Sequence, residues 1–205
     1  MTVLARPQRA SWPAAGRRGA AERDQLGRIP RDLWEALTQD EEARGRYYGK
    51  VYWRGPGRCA YFLGALSSGG YGRFRAGTRR AVADRPGSLV VPAHIYGYVL
   101  SRGVPRPDPV TGRLPVVRHR CDEPGCQAAG HLAAGSPAEN SRDYAARHRD
   151  PYSSLADLRG PRGRAVAIRD AILAALADGA SLGEIEAAID RASAAGIPGG
   201  QQALF

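Results

Sequence analysis

Three residues of the kind that bind soft metal ions recur every five positions along one short segment. They are Cys121, Cys126 and His131. Two thiolates and an imidazole at this density suit a tetrahedral zinc ion, which requires a fourth ligand. Because Cys59 is the only other cysteine in the chain, we predict a zinc site of these four residues that leaves no thiol unused.

The predicted zinc is expected to be structural. Four protein ligands fill a tetrahedral shell and leave no position for a reacting water. The segment around the ligands has few apolar residues, so metal binding would contribute its folding free energy. The same loop would then fix His119, two residues before a ligand, relative to Asn140, which follows the last ligand.

The flanking sequence indicates the elements that would position these side chains. Residues 114–119 end in a β-branched run, which predicts a strand with His119 at its end. A Ser-x-x-Glu capping box at Ser136, with a proline directly after the serine, predicts a helix that continues to about Arg147. Asn140 would lie one turn inside that helix.

This order of residues resembles the His-Me finger nucleases, also called HNH or ββα-metal nucleases. The pattern is His-x-Cys, a second Cys five residues on, His-Leu five further and Asn nine after the His. It is most similar to the branch with a zinc-binding loop, which includes intron-encoded homing endonucleases and many phage HNH proteins. Upstream, three segments are similar to the order in that branch: Cys59-Ala60-Tyr61-Phe62-Leu63-Gly64-Ala65, Gly70-Tyr71-Gly72-Arg73-Phe74 and Pro92-Ala93-His94. The resemblance covers about residues 58 to 147.

The resemblance implies a metal-dependent DNA endonuclease that hydrolyses phosphodiester bonds and leaves 5′-phosphate and 3′-hydroxyl ends. It implies His119 as the general base, and an imidazole with an ordinary pKa of about 6.5 can accept a proton at neutral pH. Asn140 offers a hard amide oxygen, which suits a catalytic Mg²⁺. Arg79 lies about as far beyond Cys59 as the phosphate-contacting arginine lies beyond the first zinc ligand in the similar homing enzymes, so we assign Arg79 to the scissile phosphate.

Simpler interpretations of single residues remain open. A lone His119 would be a packed strand-end histidine, and a lone Asn140 an exposed helix residue. His94 is interpreted as a packing or hydrogen-bonding residue on a predicted helix over 93–100. At the level of function, the alternatives are a noncatalytic zinc-containing nucleic-acid-binding protein and a nonspecific nuclease of the toxin or defence type.

The charge balance favours a polyanionic partner. Thirty basic residues against 20 acidic ones give a net charge of +10 and a pI near 10.1, as expected for a protein that binds DNA or RNA. The basic residues are nearly all arginine, which a G+C-rich coding sequence would also produce.

No apolar run approaches the roughly 18 residues of a membrane helix. We therefore expect no membrane association and a cytoplasmic protein of a bacterium or phage-infected host.

The sequence predicts the α+β class, with a small, irregular, zinc-stapled ββα-metal core. We divide the chain into a flexible basic arm (1–28), a nuclease domain (29–149), a linker (150–163), a helical hairpin (164–196) and a flexible tail (197–205). Within the nuclease domain, apolar spacing predicts a helix over 30–44. Segments 61–66 and 71–75 are expected to form a β-hairpin whose arginines line the DNA groove.

The C-terminal part carries two further expectations. The helical hairpin has an acidic outer face, which favours packing or self-association over reading of a DNA groove, and the homing enzymes are often homodimers. Gln201, Leu204 and Phe205 belong to a Gln-x-x-Leu-Phe ending similar to the peptide by which bacterial replication and repair proteins dock on the sliding clamp. A tail packed on the helical hairpin is the alternative.

Overall fold

A computed structural model describes residues 25–77 and 89–198 of the chain. Its described part is a mixed α/β structure with helices packed around small sheets. The helices are α1 (Gln25–Arg28), α2 (Arg31–Gln39), α3 (Glu41–Tyr48), α4 (Ala93–Arg102), α5 (Pro137–Arg147), α6 (Gly160–Ala177) and α7 (Leu182–Ala194). The strands are β1 (Val51–Tyr52), β2 (Tyr61–Phe62), β3 (Arg73–Gly77), β4 (Leu89–Pro92), β5 (Val116–His119) and β6 (Leu132–Gly135). Short 3₁₀ turns span Ala129–His131 and Ser154–Ala156.

Each sheet in the described residues has two antiparallel strands: β1 with β2, β3 with β4, and β5 with β6. The third pair matters most for the site. His119 at the end of β5 lies opposite Leu132 at the start of β6, so the intervening loop returns to the strand end. Helix α5 follows β6 after a single residue, Ser136. The predicted strand at 114–119 and the predicted helix to Arg147 are therefore confirmed.

The β-hairpin predicted between 61–66 and 71–75 is confirmed only next to its turn. Strand β2 pairs with β1 instead, and β3 pairs with β4, placing Phe74 opposite Val91. Next to the turn, the two predicted segments are joined by a bridge between Leu66 and Gly72 and by a hydrogen bond from Arg73 N to the Ala65 carbonyl at 2.7 Å. The pairing does not continue along β3, because burial of Phe74 and Val91 in the core selects β4 as the partner of β3.

The main core lies between α2, α3, α4 and strand β3. Its largest fully buried side chains include Trp34, Leu37, Phe74 and Tyr96. The helix predicted over 30–44 is two helices, because Asp40 is extended and its carboxylate accepts hydrogen bonds from the first amides of α3. None of the helices in the described ranges is long and apolar enough to span a membrane.

The aromatic residues near α3 divide between two environments. Tyr47 is buried against Phe74 and Tyr96, and its hydroxyl donates a hydrogen bond to Gln127 Oε1 at 3.0 Å. Tyr48 and Trp53 are each 58% exposed. Tyr47 therefore packs in the core and ties α3 to the segment after Cys126.

Helices α6 and α7 form the predicted helical hairpin, and it packs on the rest of the chain. Buried isoleucines from both helices surround Tyr61 of β2. The predicted linker contains a 3₁₀ turn, the buried Asp157 and the first residues of α6. Likewise, residues 25–28 of the predicted flexible arm form α1, with Leu26 in the core; residues 1–24 lie outside the described part.

Candidate metal centre and adjoining cavity

The four predicted zinc ligands lie together. The ligand atoms of Cys59, Cys121, Cys126 and His131 are all within 4.8 Å of one another. The Sγ atoms of Cys59 and Cys126 each lie 3.5 Å from Nδ1 of His131. A tetrahedral zinc with Zn–S of about 2.3 Å and Zn–N of about 2.0–2.1 Å has an S···N edge of roughly 3.5 Å. The cluster can therefore hold a metal such as zinc, with Nδ1 as the histidine ligand atom.

Backbone pairing brings the ligands together from distant parts of the sequence. Gln127 donates its amide hydrogen to the Ala60 carbonyl at 2.6 Å, which places Cys59 beside Cys126. Arg120 donates to the His131 carbonyl at 2.8 Å, which places Cys121 beside the histidine. These two main-chain hydrogen bonds thus bring ligands that are separated along the chain into one compact cluster.

The electrostatics of the cluster favour a cation. Hydrogen bonds from the thiols of Cys126 and Cys59 lower the pKa of Cys121, and the hydrogen bond to Cys121 raises the pKa of Cys59. Ionisation of one thiol therefore opposes ionisation of its neighbours. A bound metal ion would remove this opposition, because thiolates are the form that binds metal.

His119 is oriented by the same loop. Its ring is buried, and Nε2 lies 2.9 Å from the carbonyl oxygen of Cys126. A carbonyl can only accept a hydrogen bond, so Nε2 carries the proton and Nδ1 carries the lone pair. Burial lowers the pKa of His119, although the Cys121 thiolate opposes this shift. The imidazole is thus held neutral, with Nδ1 available as a base.

His119 and Asn140 line the same cavity, which has a volume of about 450 Å³. The cavity lies between β5, α4 and α5. Asn140 is half-buried and stands one turn into α5, behind the predicted capping box: Glu139 N donates to Ser136 Oγ at 3.1 Å and Ser136 N donates to Glu139 Oε2 at 2.6 Å. Its carboxamide forms no hydrogen bond with any described residue. The sequence-predicted base and the predicted magnesium ligand therefore face one space.

His94 also lines this cavity, which sequence reasoning did not anticipate. It lies on α4, and its ring centroid is 4.9 Å from that of His119. Among the described residues its buried Nδ1 has no hydrogen-bond partner, and burial lowers the pKa of His94 well below its ordinary value. His94 packs against its neighbours as expected. The Ala93-His94 pair was the sequence signal that could have indicated its place in the cavity.

The loop between β5 and β6, residues 120–131, carries three of the four candidate ligands, and we call it the metal loop. Ion pairs join β5 and the metal loop to α5. Arg118 pairs with Asp143, and Arg147 Nε lies 2.8 Å from Asp122 Oδ2. Burial raises the pKa of Asp122, and the nearby Arg147 guanidinium opposes that shift. Each pair links residues about 25 positions apart, so no local pattern could have predicted them. They hold the helix that carries Asn140 against the strand that carries His119.

A second cavity, of about 440 Å³, is lined by cations from α3, the residues after it and β3. We call it the basic groove; its basic residues are Arg46, Lys50, Arg73 and Arg75, around Phe74. Among the described residues, no acidic side chain lines it, although Arg46 also pairs with Glu42 at 2.6 Å. The groove is suited to a polyanion.

Two predicted sites fall outside the described residues. Arg79 lies in the segment 78–88, and Gln201, Leu204 and Phe205 lie in the segment 199–205. Their assignment to the scissile phosphate and to the sliding clamp therefore stays a prediction. No family model, curated protein or solved structure matches this chain.

Proposed function

We propose that this protein is a zinc-stabilised DNA endonuclease of the HNH, or His-Me finger, type. The order β5, metal loop, β6 and α5 is the arrangement that the ββα-metal resemblance implies. The observation that carries the proposal is the shared cavity: His119 at a strand end and Asn140 in the following helix face one space beside a Cys₃His cluster. This combination would provide a general base and a hard oxygen ligand close to a structural metal site.

His119 would act as the general base. Its Nδ1 would take a proton from a water molecule as the water oxygen forms a bond to phosphorus and the bond between phosphorus and the 3′ oxygen breaks. The departing 3′ oxygen would take up a proton from solvent water, so the products are a 5′-phosphate and a 3′-hydroxyl. General-base catalysis of this kind contributes about 10²- to 10⁴-fold to a rate. The Cys126 carbonyl supports this role because it keeps the proton on Nε2.

Asn140 would hold a Mg²⁺ ion through its amide oxygen. The donor fits, because Mg²⁺ prefers hard oxygen ligands and takes few from protein, completing its shell with water and phosphate. When bound, such an ion supplies neutralisation of the negative charge on the departing oxygen. Asn140 is half-buried, and its carboxamide has no hydrogen-bond partner in the part of the chain that the structure describes, which is consistent with this assignment.

DNA is the substrate that the charge distribution favours. The net charge of +10 and the basic groove attract phosphates. Arg118 and Arg147 near the cavity are already paired with carboxylates, so they are assigned to positioning α5. The groove residues Arg73 and Arg75 are exposed on β3 and are assigned to the DNA backbone.

Plasmid cleavage tests the proposal. Supercoiled plasmid is incubated with Mg²⁺ and the wild-type protein or the variants His119→Ala, Asn140→Ala and His148→Ala. We expect the first two variants to lower the cleavage rate at least about 100-fold, because each removes a group that acts at phosphorus. The exposed His148 is the matched control, and its variant should cleave at the wild-type rate.

Other results would favour the other functions. Tight binding of DNA by a wild-type protein that never cleaves would indicate a noncatalytic nucleic-acid-binding protein. Equal nicking by all four preparations would contradict the assignment of both residues. Random-length products from a long defined DNA, in place of discrete bands, would indicate a nonspecific nuclease.

A further inference from the structure

The helical hairpin meets the metal loop at a buried cluster of charges. Arg164 of α6 lies among Glu123, which is two residues after Cys121, and Asp157, which precedes α6. The exposed fractions of these side chains are 9%, 6% and 1%, respectively. Charges this deeply buried must be paired, since an isolated one is very costly to desolvate.

Arg164 joins three separate segments through its guanidinium. Its Nε donates to Glu123 Oε1 at 2.6 Å, and its Nη1 lies 2.6 Å from the Ser193 carbonyl and 3.3 Å from Asp157 Oδ2. Asp157 also accepts a hydrogen bond from Arg159. The rigid fork of an arginine suits such a junction, whereas a lysine ammonium acts as a single point charge.

A short chain of hydrogen bonds connects this junction to His119. Both carboxylate oxygens of Glu123 are held, one by Arg164 and the other by the Tyr61 hydroxyl at 3.2 Å. The Glu123 carbonyl accepts from Cys126 N at 3.0 Å. The Cys126 carbonyl in turn lies 2.9 Å from His119 Nε2. The position of Glu123 thus affects the group that orients the proposed base.

The helical hairpin is also attached at contacts that do not involve Arg164. The isoleucines of α6 and α7 pack on Tyr61. Glu186 of α7 pairs with Arg54 and Arg58 at 2.6 and 2.7 Å. A buried ion pair adds little net stability compared with apolar packing. Attachment of the hairpin alone therefore does not explain the Arg164 cluster.

We propose that the helical hairpin braces the metal loop, and that Arg164 is a positioning residue for His119 that acts through Glu123 and Cys126. The inference rests on the proposed nuclease function. It gives the hairpin a role in the active site although none of its residues lines the cavity with His119.

The test compares Arg164→Met with Glu186→Gln in the zinc-loaded full-length protein. The control loosens the hairpin at a polar contact outside the Arg164 cluster, while Glu123 keeps both partners. On supercoiled plasmid with Mg²⁺, we expect Arg164→Met to lower kcat roughly 10- to 100-fold, because displacement of a reacting group by about 1 Å costs up to 100-fold. KM should stay within about twofold, and the zinc content should equal that of the wild type. Glu186→Gln should keep the wild-type kcat even where it lowers the melting temperature.

Nitrogen NMR of the His119 imidazole is the second readout, because the Nε2 resonance reports the hydrogen bond to Cys126. Arg164→Met should move this resonance and Glu186→Gln should not. Arg164→Lys replaces Arg164→Met should the latter fail to fold, since it keeps the charge but loses the fork. An unmoved resonance in the Arg164 variant, or an equal loss of kcat in both variants, overturns the inference. A wild-type protein without cleavage activity would refute the nuclease proposal alone, because the resonances would still decide the positioning role.

Discussion

Cys126 shows how closely metal binding and the proposed chemistry are joined at the level of single residues. Its Sγ belongs to the Cys₃His cluster, whereas its carbonyl oxygen orients His119. One residue therefore links the candidate metal site to the proposed base. Loss of the metal should affect catalysis through this residue, although four protein ligands leave the metal no open position for substrate.

Removal of a single ligand should reveal the structural role of the metal. Cys59 is the ligand furthest in sequence from the other three, so Cys59→Ser should release zinc and detach β2 from the metal loop. We expect the melting temperature to fall by on the order of 10 °C, since several kcal/mol are lost at about 2–4 °C per kcal/mol. Elemental analysis and thermal unfolding measure both effects.

Chelation provides the control for this prediction. A chelator should lower the melting temperature of the wild-type protein to a similar degree, and added zinc should restore it. The Cys59→Ser protein should respond to neither treatment. Stoichiometric zinc in the variant, or a wild-type melting temperature indifferent to chelation, would contradict a structural metal at this cluster.

At the level of elements, helix α5 determines where Asn140 stands. The helix begins at a capping box in which the side chains of Ser136 and Glu139 each accept a hydrogen bond from the backbone amide of the other residue. Helix α7 begins with the same motif at Ser181 and Glu184, but it carries no residue that lines the cavity with His119. The chain thus contains two equivalent caps, one next to the site and one remote from it.

These two caps provide a matched pair of variants. Ser136→Ala and Ser181→Ala should each lower the free energy of unfolding by about 1 kcal/mol, because each removes an acceptor for an amide of the first helical turn. Only Ser136→Ala should also lower kcat in plasmid cleavage, since Asn140 lies in the adjoining turn. Denaturant unfolding and cleavage kinetics measure the two effects. An equal kcat for both variants would show that the cap does not help to position Asn140.

At the level of the whole molecule, charge is distributed unevenly. Several carboxylates are committed to ion pairs: those of Glu186 and Asp190 to Arg54 and Arg58, and that of Glu123 to Arg164. The predicted acidic face of the helical hairpin is therefore partly used for packing. In contrast, the described residues that line the groove with Arg73 and Arg75 include no carboxylate.

Salt dependence measures the role of the basic groove. The double variant Arg73→Gln, Arg75→Gln should weaken binding of a labelled DNA duplex. It should also reduce the slope of log K against log salt concentration by about two, because each phosphate contact contributes about 0.9. Arg113→Gln, which removes an exposed arginine outside both cavities, should leave the slope unchanged. A double variant with the wild-type slope would exclude the groove from DNA binding.

The short-range features of the site were predictable from the sequence because they depend on residues close along the chain. The five-residue spacing of Cys121, Cys126 and His131 gave three ligands, and the absence of any other cysteine left Cys59 as the fourth. The capping box predicted both the start of α5 and the depth of Asn140 within it. Such patterns reflect local hydrogen bonding and metal coordination, which vary little with the surrounding fold.

Only the tertiary structure determined which distant segments meet. The partner of β3 follows from burial of Phe74 against Val91, whereas the local turn signal predicted only the contacts next to the turn. Arg164 and Glu123 are separated by 41 residues, and their contact depends on how the helical hairpin packs. His94 reaches the cavity because α4 is buried beside β5. Such contacts are selected by the free energy of burying a whole surface, a quantity that belongs to the complete fold and to no single segment.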